Sequence, residues 1–169
     1  MGVERGYHVL TFDGPGQPAA LHLDGLVFRP DWENVVSPVL DWLLARPEVD
    51  PARVSLLGVS MGGLLAPHAA AFEHRLAACV AVDGVYDLGA LATASFSGTR
   101  VESEALLRAE NAPQIDAAIE MMMDENPTVR WAVTHGSYVT GTTMNWTSVS
   151  KAFRFPRGCR CRLPEADPR

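Results

Sequence analysis

Ser60 stands between two glycines in the run Gly58-Val59-Ser60-Met61-Gly62-Gly63. A Gly-x-Ser-x-Gly pattern at a sharp turn from a strand to a helix displays the serine hydroxyl as a nucleophile. Such a turn strains the backbone of the serine, and we expect a Cβ at Gly58 or Gly62 to collide with the neighbouring strand or helix. The predicted chemistry is attack by Ser60 on an acyl carbon. The alternative interpretation is a small residue that fills a tight turn.

Met61 would lie at the start of the helix that follows Ser60. A backbone N–H at that position, aided by the helix dipole, points toward the negative charge that develops on an attacked carbonyl oxygen. The pattern therefore predicts Ser60 as the catalytic residue and Met61 as an oxyanion-hole residue. This chemistry needs no metal ion and no organic cofactor, so we expect neither a metal site nor a cofactor-binding site.

The acid and base that normally accompany a catalytic serine are harder to assign. Asp83 and Asp87 follow the serine along the chain and His135 follows them, so the order Ser, Asp, His is formally satisfied. His135 falls in a run predicted to be helical, and we interpret it as a solvated or locally bonded side chain. His68 and His74 lie on or just after the helix that leads away from the serine, at about 1.5 Å per residue. Asp83 is the better candidate for a supporting acid, with a turn residue at a strand end as the default interpretation.

The elements that would position these residues alternate in type along the first half of the chain. The helix predicted at Asp31–Arg46 carries Pro38, which would kink the helix or start it. The run Leu76–Val82 is apolar without alternation, which is typical of a strand covered on both faces. The predicted elements are a strand at Tyr7–Phe12, a helix at Asp31–Arg46, a strand at Val54–Gly58, a helix at Met61–Phe72 and a strand at Leu76–Val82.

The alternation of strand and helix predicts an α/β fold with a parallel βαβαβ sheet over residues 1–87. Residues 88–153 have helical periodicity instead and are predicted to form a helical, cap-like insert. The final residues 154–169 are rich in proline and arginine and have no period, so we expect a disordered tail. The helices predicted in the insert are Val101–Glu110, Gln114–Met123 and Pro127–Val139.

The composition limits the partners of the chain. Of its 169 residues 47% are hydrophobic and 20% charged, with a formal net charge of −6. Lys and Arg form no basic stripe, so we expect no nucleic-acid partner. No apolar run reaches the roughly 18 residues that cross a bilayer, and the N-terminus lacks a signal-peptide core, so we expect no membrane partner and a cytoplasmic location. Cys79 is interpreted as a buried apolar residue, and Cys159 and Cys161 lack further metal ligands at a suitable spacing.

Several segments together resemble the α/β-hydrolase superfamily, and its prolyl-oligopeptidase-like and dihydroxypseudooxynicotine-hydrolase-like branches in particular. The first of these segments is the Gly-x-Ser-x-Gly turn around Ser60. Gly6–Val9 through Phe12–Gln17 is similar to the fourth strand of that superfamily and its Asp-x-Pro-Gly loop, and Asp50–Val54 resembles the lead into its fifth strand. Pro18 departs from the pattern, because relatives usually have glycine there.

The resemblance implies an α/β fold and a serine hydrolase that acts on a small-molecule ester, amide or related acyl bond. It also implies that residues 88–153 correspond to the helical region between the sixth and seventh strands, which often lines the substrate pocket. Met121, Met122 and Met123 could belong to such a lining, although core packing is the commoner use of methionine.

In this superfamily the catalytic acid follows the seventh strand and the histidine follows the eighth, and the resemblance reaches neither. It also begins at the fourth strand, so the third strand, whose loop normally gives the second oxyanion donor, has no counterpart here. Losing a triad base costs on the order of 10⁶-fold in turnover, and losing an oxyanion donor costs about 3 kcal/mol more. We therefore expect a partial, truncated hydrolase that is weakly active or inactive as an isolated chain.

Two other interpretations remain open. The first is a non-catalytic hydrolase remnant that binds a partner or forms a homo-oligomer through exposed sheet edges. The second is a glycine-rich nucleotide-binding turn, which lacks the P-loop lysine and has Leu64 where the last glycine of such a turn belongs.

Overall fold

The computed structural model describes residues 2–84 and 113–142. The helix predicted at residues 101–110, the 154–169 tail, Asp87, Cys159 and Cys161 lie outside these ranges. The described helices and strands are α1 (Pro18–Asp24), α2 (Glu33–Leu44), β1 (Ser55–Val59), α3 (Gly62–Phe72), β2 (Ala78–Val82), α4 (Pro113–Glu125) and α5 (Pro127–Thr140), with 3₁₀ turns at Val3–Arg5 and Pro51–Arg53.

The centre of the fold is the unit β1–α3–β2. The two strands are parallel and paired from Ser55 with Ala78 to Val59 with Val82, so their carboxyl ends meet at one edge. Helix α3 packs against both strands and also against α2. A helix in that position needs apolar residues on most of its sides, which explains why α3 shows little amphipathic pattern and buries Leu64, Leu65 and Ala69. The α/β fold and these three predicted elements are confirmed.

The sheet face opposite α3 is apolar and open. Leu57 and Val59 of β1 pair in register with Val80 and Val82 of β2, and successive residues of a strand alternate between faces. These four side chains therefore form one continuous patch, and they are between 43% and 61% exposed. The expectation that the second strand is covered on both faces is wrong for the described residues, because α3 covers one face alone.

The strand predicted at Tyr7–Phe12 is not present. This segment has no strand assignment, and the sheet in the described residues consists of β1 and β2. Tyr7, Val9 and Leu10 are exposed, whereas Phe12 packs against the core between α2 and α3. β-rich composition predicts a strand only where a partner strand is available for its backbone hydrogen bonds, and no described segment pairs with this one.

Helix α2 confirms the predicted amphipathic pattern. It begins at Glu33 and contains Pro38 in its interior, so a start at Pro38 is wrong. Val36 and Leu40 are each 3% exposed and lie one turn apart on the buried side. The core that α2 shares with α3 consists of Trp32, Val36, Leu65 and Ala69.

Helix α1 was not predicted from the sequence. Pro18 opens it and Gly25 ends it with a left-handed φ of 68°, which is the arrangement of proline and glycine that helix ends favour. Its Leu21 forms a small cluster with Val139 of α5. The Phe28 N–H donates to the Val139 carbonyl at 2.7 Å, so the C-terminal end of α5 is fixed to the segment that follows α1.

Helices α4 and α5 confirm the predicted helices at Gln114–Met123 and Pro127–Val139. Asn126 caps α5 through a side-chain oxygen that accepts hydrogen bonds from the Thr128 and Val129 N–H groups. Met121 is 72% exposed and Met122 37% exposed, so core packing does not account for either side chain. None of the helices within residues 2–84 and 113–142 has the length and hydropathy that crossing a membrane requires.

A buried carboxylate joins α2 to the C-terminal end of α3. Glu73 accepts hydrogen bonds from the Arg75 guanidinium at 2.8 and 2.6 Å and from the Ser37 hydroxyl at 2.7 Å, and Arg75 also contacts Asp41 of α2. Chiefly because of the hydrogen bonds from Arg75, the pKa of Glu73 falls from its ordinary value of 4.5 to about 2.

The lowered pKa of Glu73 predicts how the free energy of unfolding depends on pH. Since the folded pKa lies below the unfolded one, its stabilisation is fully present above about pH 4.5 and is lost as the pH falls toward about 2. We expect this to amount to on the order of 2 kcal/mol. Glu73→Gln should lower the free energy of unfolding near pH 7 and flatten its decline below pH 5, measured by urea unfolding.

Glu48→Gln is the matched control, because Glu48 is exposed and should leave the pH profile unchanged. An acid-side slope in Glu73→Gln as steep as that of the wild-type protein would contradict the assignment.

Candidate active site

Ser60 lies at the turn between the last residue of β1 and the first residue of α3. Its φ is 56°, in the left-handed region that residues with a Cβ rarely occupy. Its N–H donates to the Val82 carbonyl at 2.9 Å, which ties the turn to the end of β2. The residue is exposed, so a strained backbone presents an accessible hydroxyl at the carboxyl edge of the sheet.

Two glycines allow the backbone to pass closely at this turn. A Cβ on Gly58 would overlap the carbonyl of Gly62, so the predicted need for glycine at Gly58 is confirmed. A Cβ on Gly63 would lie 2.9 Å from both the Val82 oxygen and the Gly84 Cα, which is closer than ordinary contacts. Glycine is therefore required on the strand and on the first turn of the helix.

The predicted collision at Gly62 is wrong. A Cβ there would meet nothing within 4 Å among the described residues, and the φ of Gly62 is not left-handed. The physical reason is the direction of the helix start: the carbonyl of Gly62 faces Gly58 on the strand, whereas a Cβ on Gly62 would point into open space. Gly63 fills the role that the sequence analysis gave to Gly62. The adjacent glycine doublet was the available signal, although it did not indicate which glycine makes the contact.

Met61 is the residue that precedes α3, with a φ of −55°. Its N–H has no hydrogen-bond acceptor within the described part of the chain, whereas the N–H of Gly63 donates to the Ser60 carbonyl at 2.8 Å. The Met61 side chain is half-buried and packs against both the Leu21 cluster and the core between α2 and α3. An N–H without an acceptor at the positive end of a helix dipole can stabilise an anion. The packing of the Met61 side chain holds this N–H in place.

The structure does not bring a histidine to Ser60. His135 is stacked on Trp131 with ring centroids 5.1 Å apart, and His68 is buried with its Nε2 3.1 Å from Glu33. His22 is hydrogen-bonded to Tyr138 at 3.0 Å. In the ranges that the structure covers, no side chain hydrogen-bonds to the Ser60 hydroxyl. The interpretation of His135 as a solvated or locally bonded side chain agrees with its stacking on Trp131.

Asp83 is different, because the fold places it beside the serine. It is the first residue after β2, and its φ is 55°. Ser60 is likewise the first residue after β1, and the residues that precede the two are paired in the sheet. The Asp83-Gly84 pair is a turn signal in the sequence, but the positive φ of the aspartate was not predicted.

One groove is found among the described residues, and it lies along α5. It is shallow, with a volume of about 450 Å³, and its lining includes neither Ser60 nor Met61. Within residues 2–84 and 113–142 no three His, Cys, Asp or Glu side chains are grouped so that they could hold a metal ion. The residues that line the groove are Pro127, Arg130, Trp131, Thr134, His135 and Tyr138.

The turn, the parallel strands and the covering helix are the geometry expected of the family that the sequence resembles. The model of the alpha/beta hydrolase family matches residues 2–163. The chain belongs to the alpha/beta hydrolase family. This membership confirms the resemblance to the α/β-hydrolase superfamily and the α/β fold class predicted from the alternation of strands and helices.

Several fungal proteins that are named hydrolases or hydrolyases are similar to the chain. The alpha/beta hydrolase psoB of Aspergillus fumigatus is 46% identical over 106 residues, which are 59% of this chain and 22% of that protein. The hydrolyase poxO of Penicillium oxalicum is 40% identical over 143 residues, 78% of this chain and 32% of that protein. The hydrolase ORFZ of Pyricularia oryzae is 36% identical over 160 residues, 90% of this chain and 36% of that protein.

The chain thus spans between 22% and 36% of the length of these three relatives. No solved structure matches it significantly.

The close approach at the turn predicts unequal effects of alanine at the two glycines of the motif. Gly58→Ala should lower the free energy of unfolding by about 3 kcal/mol, because the added Cβ must displace the start of α3. Gly62→Ala should stay within about 1 kcal/mol of the wild-type protein, because its Cβ enters open space and alanine favours a helix.

Urea unfolding followed by circular dichroism measures both variants. Equal destabilisation by the two substitutions would contradict the described path of the turn.

Proposed function

We propose that the chain carries the nucleophile of a serine hydrolase and that Ser60 is this nucleophile. The substrate class we propose is a small molecule with an ester, amide or related acyl bond. Membership in the alpha/beta hydrolase family supports the proposal, as do relatives that are named hydrolases. The chain spans a minor part of those relatives. We therefore propose that full turnover needs further strands and helices besides those of residues 2–84 and 113–142.

The observation that carries the proposal is the backbone of Ser60. A left-handed φ costs a residue with a Cβ on the order of 1–3 kcal/mol, and strain of this kind clusters at functional sites. Glycine would fit the same turn at lower cost, and glycines are already present two residues away on each side. A serine that is kept there, exposed and strained, is better explained by use of its hydroxyl than by turn geometry.

In the proposed reaction the Ser60 Oγ attacks the acyl carbon and its proton passes to a general base. Negative charge develops on the carbonyl oxygen, where the Met61 N–H can donate a hydrogen bond. The leaving group then departs with a proton, and water hydrolyses the acyl-Ser60 ester to release the acid and free the serine.

We expect slow turnover by the 169-residue chain alone. The base in this family is a histidine that follows the eighth strand, and no described histidine is bonded to Ser60. The loss of such a base lowers turnover on the order of 10⁶-fold. A stoichiometric probe that needs one attack by the serine is therefore a better test than a turnover assay.

A fluorophosphonate probe should label the folded chain once, slowly, and at Ser60. The Ser60 oxygen would bond to phosphorus as fluoride leaves, and intact-mass and peptide-mass spectrometry would locate the adduct. Ser60→Ala should abolish labelling. Ser55→Ala should not change it, because Ser55 is an exposed serine at the opposite end of β1.

A non-catalytic, self-associating protein is the second candidate, and the open patch of Leu57, Val59, Val80 and Val82 favours it. Folded protein that is never labelled, together with sedimentation that increases with concentration, would overturn the hydrolase proposal and support this one.

A further inference from the structure

Asp83 occupies the position beside Ser60 on the neighbouring strand. Val59 and Val82 are the last paired residues of β1 and β2, so Ser60 and Asp83 are the next residues of the two strands. Neighbouring strands lie about 4.8 Å apart. Both residues leave the sheet with a positive φ, of 56° and 55°, so the two side chains start from equivalent points on the same edge.

The backbone of Asp83 is fixed to the turn on both sides. The residue before it, Val82, accepts the hydrogen bond from the Ser60 N–H at 2.9 Å. The residue after it, Gly84, lies against Gly63 at the start of α3, where a Cβ would come within 2.9 Å. The backbone of the aspartate therefore lies between two residues that contact the Ser60 turn and the start of α3.

The carboxylate of Asp83 is exposed and unengaged. No hydrogen bond or ion pair to it is found within the described ranges, whereas other carboxylates of the chain, such as those of Asp31, Asp50 and Glu73, have such partners. Asparagine and aspartate both tolerate a left-handed φ, so the backbone conformation alone does not select the charged residue. What aspartate adds at this position is a negative charge next to the attacking hydroxyl.

We propose that Asp83 determines charge specificity at the Ser60 site: its carboxylate favours acyl substrates that are cationic near the reacting bond and disfavours anionic ones. This inference rests on the proposed function of Ser60 as the nucleophile. It names a substrate class that neither the nucleophile motif nor family membership specifies.

The size of the charge preference follows from the exposure of the Asp83 carboxylate. Two unit charges several ångströms apart in a highly solvated setting interact weakly, and the sign of the interaction reverses between a cation and an anion. The difference between the two classes corresponds to a rate ratio on the order of fivefold at low ionic strength. Because the charge is exposed, salt should reduce this ratio toward one.

The test uses the full chain and three fluorophosphonates of matched size, with a trimethylammonium, a neutral alkyl or a carboxylate end group. Second-order labelling rates at Ser60 are measured at low ionic strength and again near 0.5 M salt. The wild-type chain should prefer the cationic over the anionic probe on the order of fivefold, and salt should abolish most of this preference. Asp83→Asn should reduce the ratio to near one, and Asp83→Glu should retain it.

Asp50→Asn is the matched control. Asp50 is exposed, precedes β1 at the opposite edge of the sheet, and accepts a hydrogen bond from the Ala52 N–H that an asparagine oxygen can also accept. It removes the same charge from the chain and should leave the preference unchanged.

The outcomes separate the two proposals. Failure of every probe to label the folded wild-type chain would overturn the function proposed for Ser60. Labelling without a charge preference, or with a preference that Asp83→Asn retains, would overturn the role of Asp83 and leave the nucleophile in place. If Asp83→Asn does not fold, the salt titration of the wild-type chain decides, and a preference that is insensitive to salt overturns the inference.

Discussion

Backbone passes against backbone where β1 ends and α3 begins, and the candidate site depends on that close approach. Gly58 leaves room for the start of the helix, and Gly63 lets the first turn pack against Gly84. The Ser60 N–H then reaches the Val82 carbonyl. Between these fixed contacts the chain must reverse within a single residue, so Ser60 adopts a left-handed conformation and its side chain is displayed at the sheet edge.

The rest of the described chain supports this turn through Met61. Its side chain contacts both hydrophobic clusters, one formed by Leu21 and Val139 and the other shared by α2 and α3. The N–H that could stabilise an oxyanion is therefore positioned by the packing of α1, α2 and α5 as well as by the helix that follows it. In this arrangement one residue carries the proposed oxyanion donor and also packs against the core.

Features that depend on nearby residues could be predicted from the sequence. β1, α3 and β2 have local hydrophobic patterns, and the two glycines around Ser60 indicated a sharp turn between them. The segment Tyr7–Phe12 was mispredicted because a strand needs a partner elsewhere in the chain. The open face at Leu57 and Val80 was missed for a related reason, since an apolar run does not reveal which of its faces is covered.

The contacts of the glycines and the backbone conformation at the site depend on the path of the chain in three dimensions, which the sequence does not show. The motif contains Gly58, Gly62 and Gly63, but the path of the helix start decides that the first and last of these make the close contacts. The positive φ of Asp83 arises where the end of β2 is held against the helix, and a single sequence carries no signal of that constraint beyond the Asp-Gly pair.

The left-handed backbone at Ser60 can be tested by one comparison of stability, between Ser60→Gly and Ser60→Ala, which both remove the hydroxyl. At an ordinary φ the glycine variant would be the less stable of the two, because glycine loses more conformational entropy on folding. At a φ of 56° the order should reverse, with the glycine variant about 1 kcal/mol more stable to urea. A glycine variant that is less stable than the alanine variant would contradict the strained turn on which the account of the site rests.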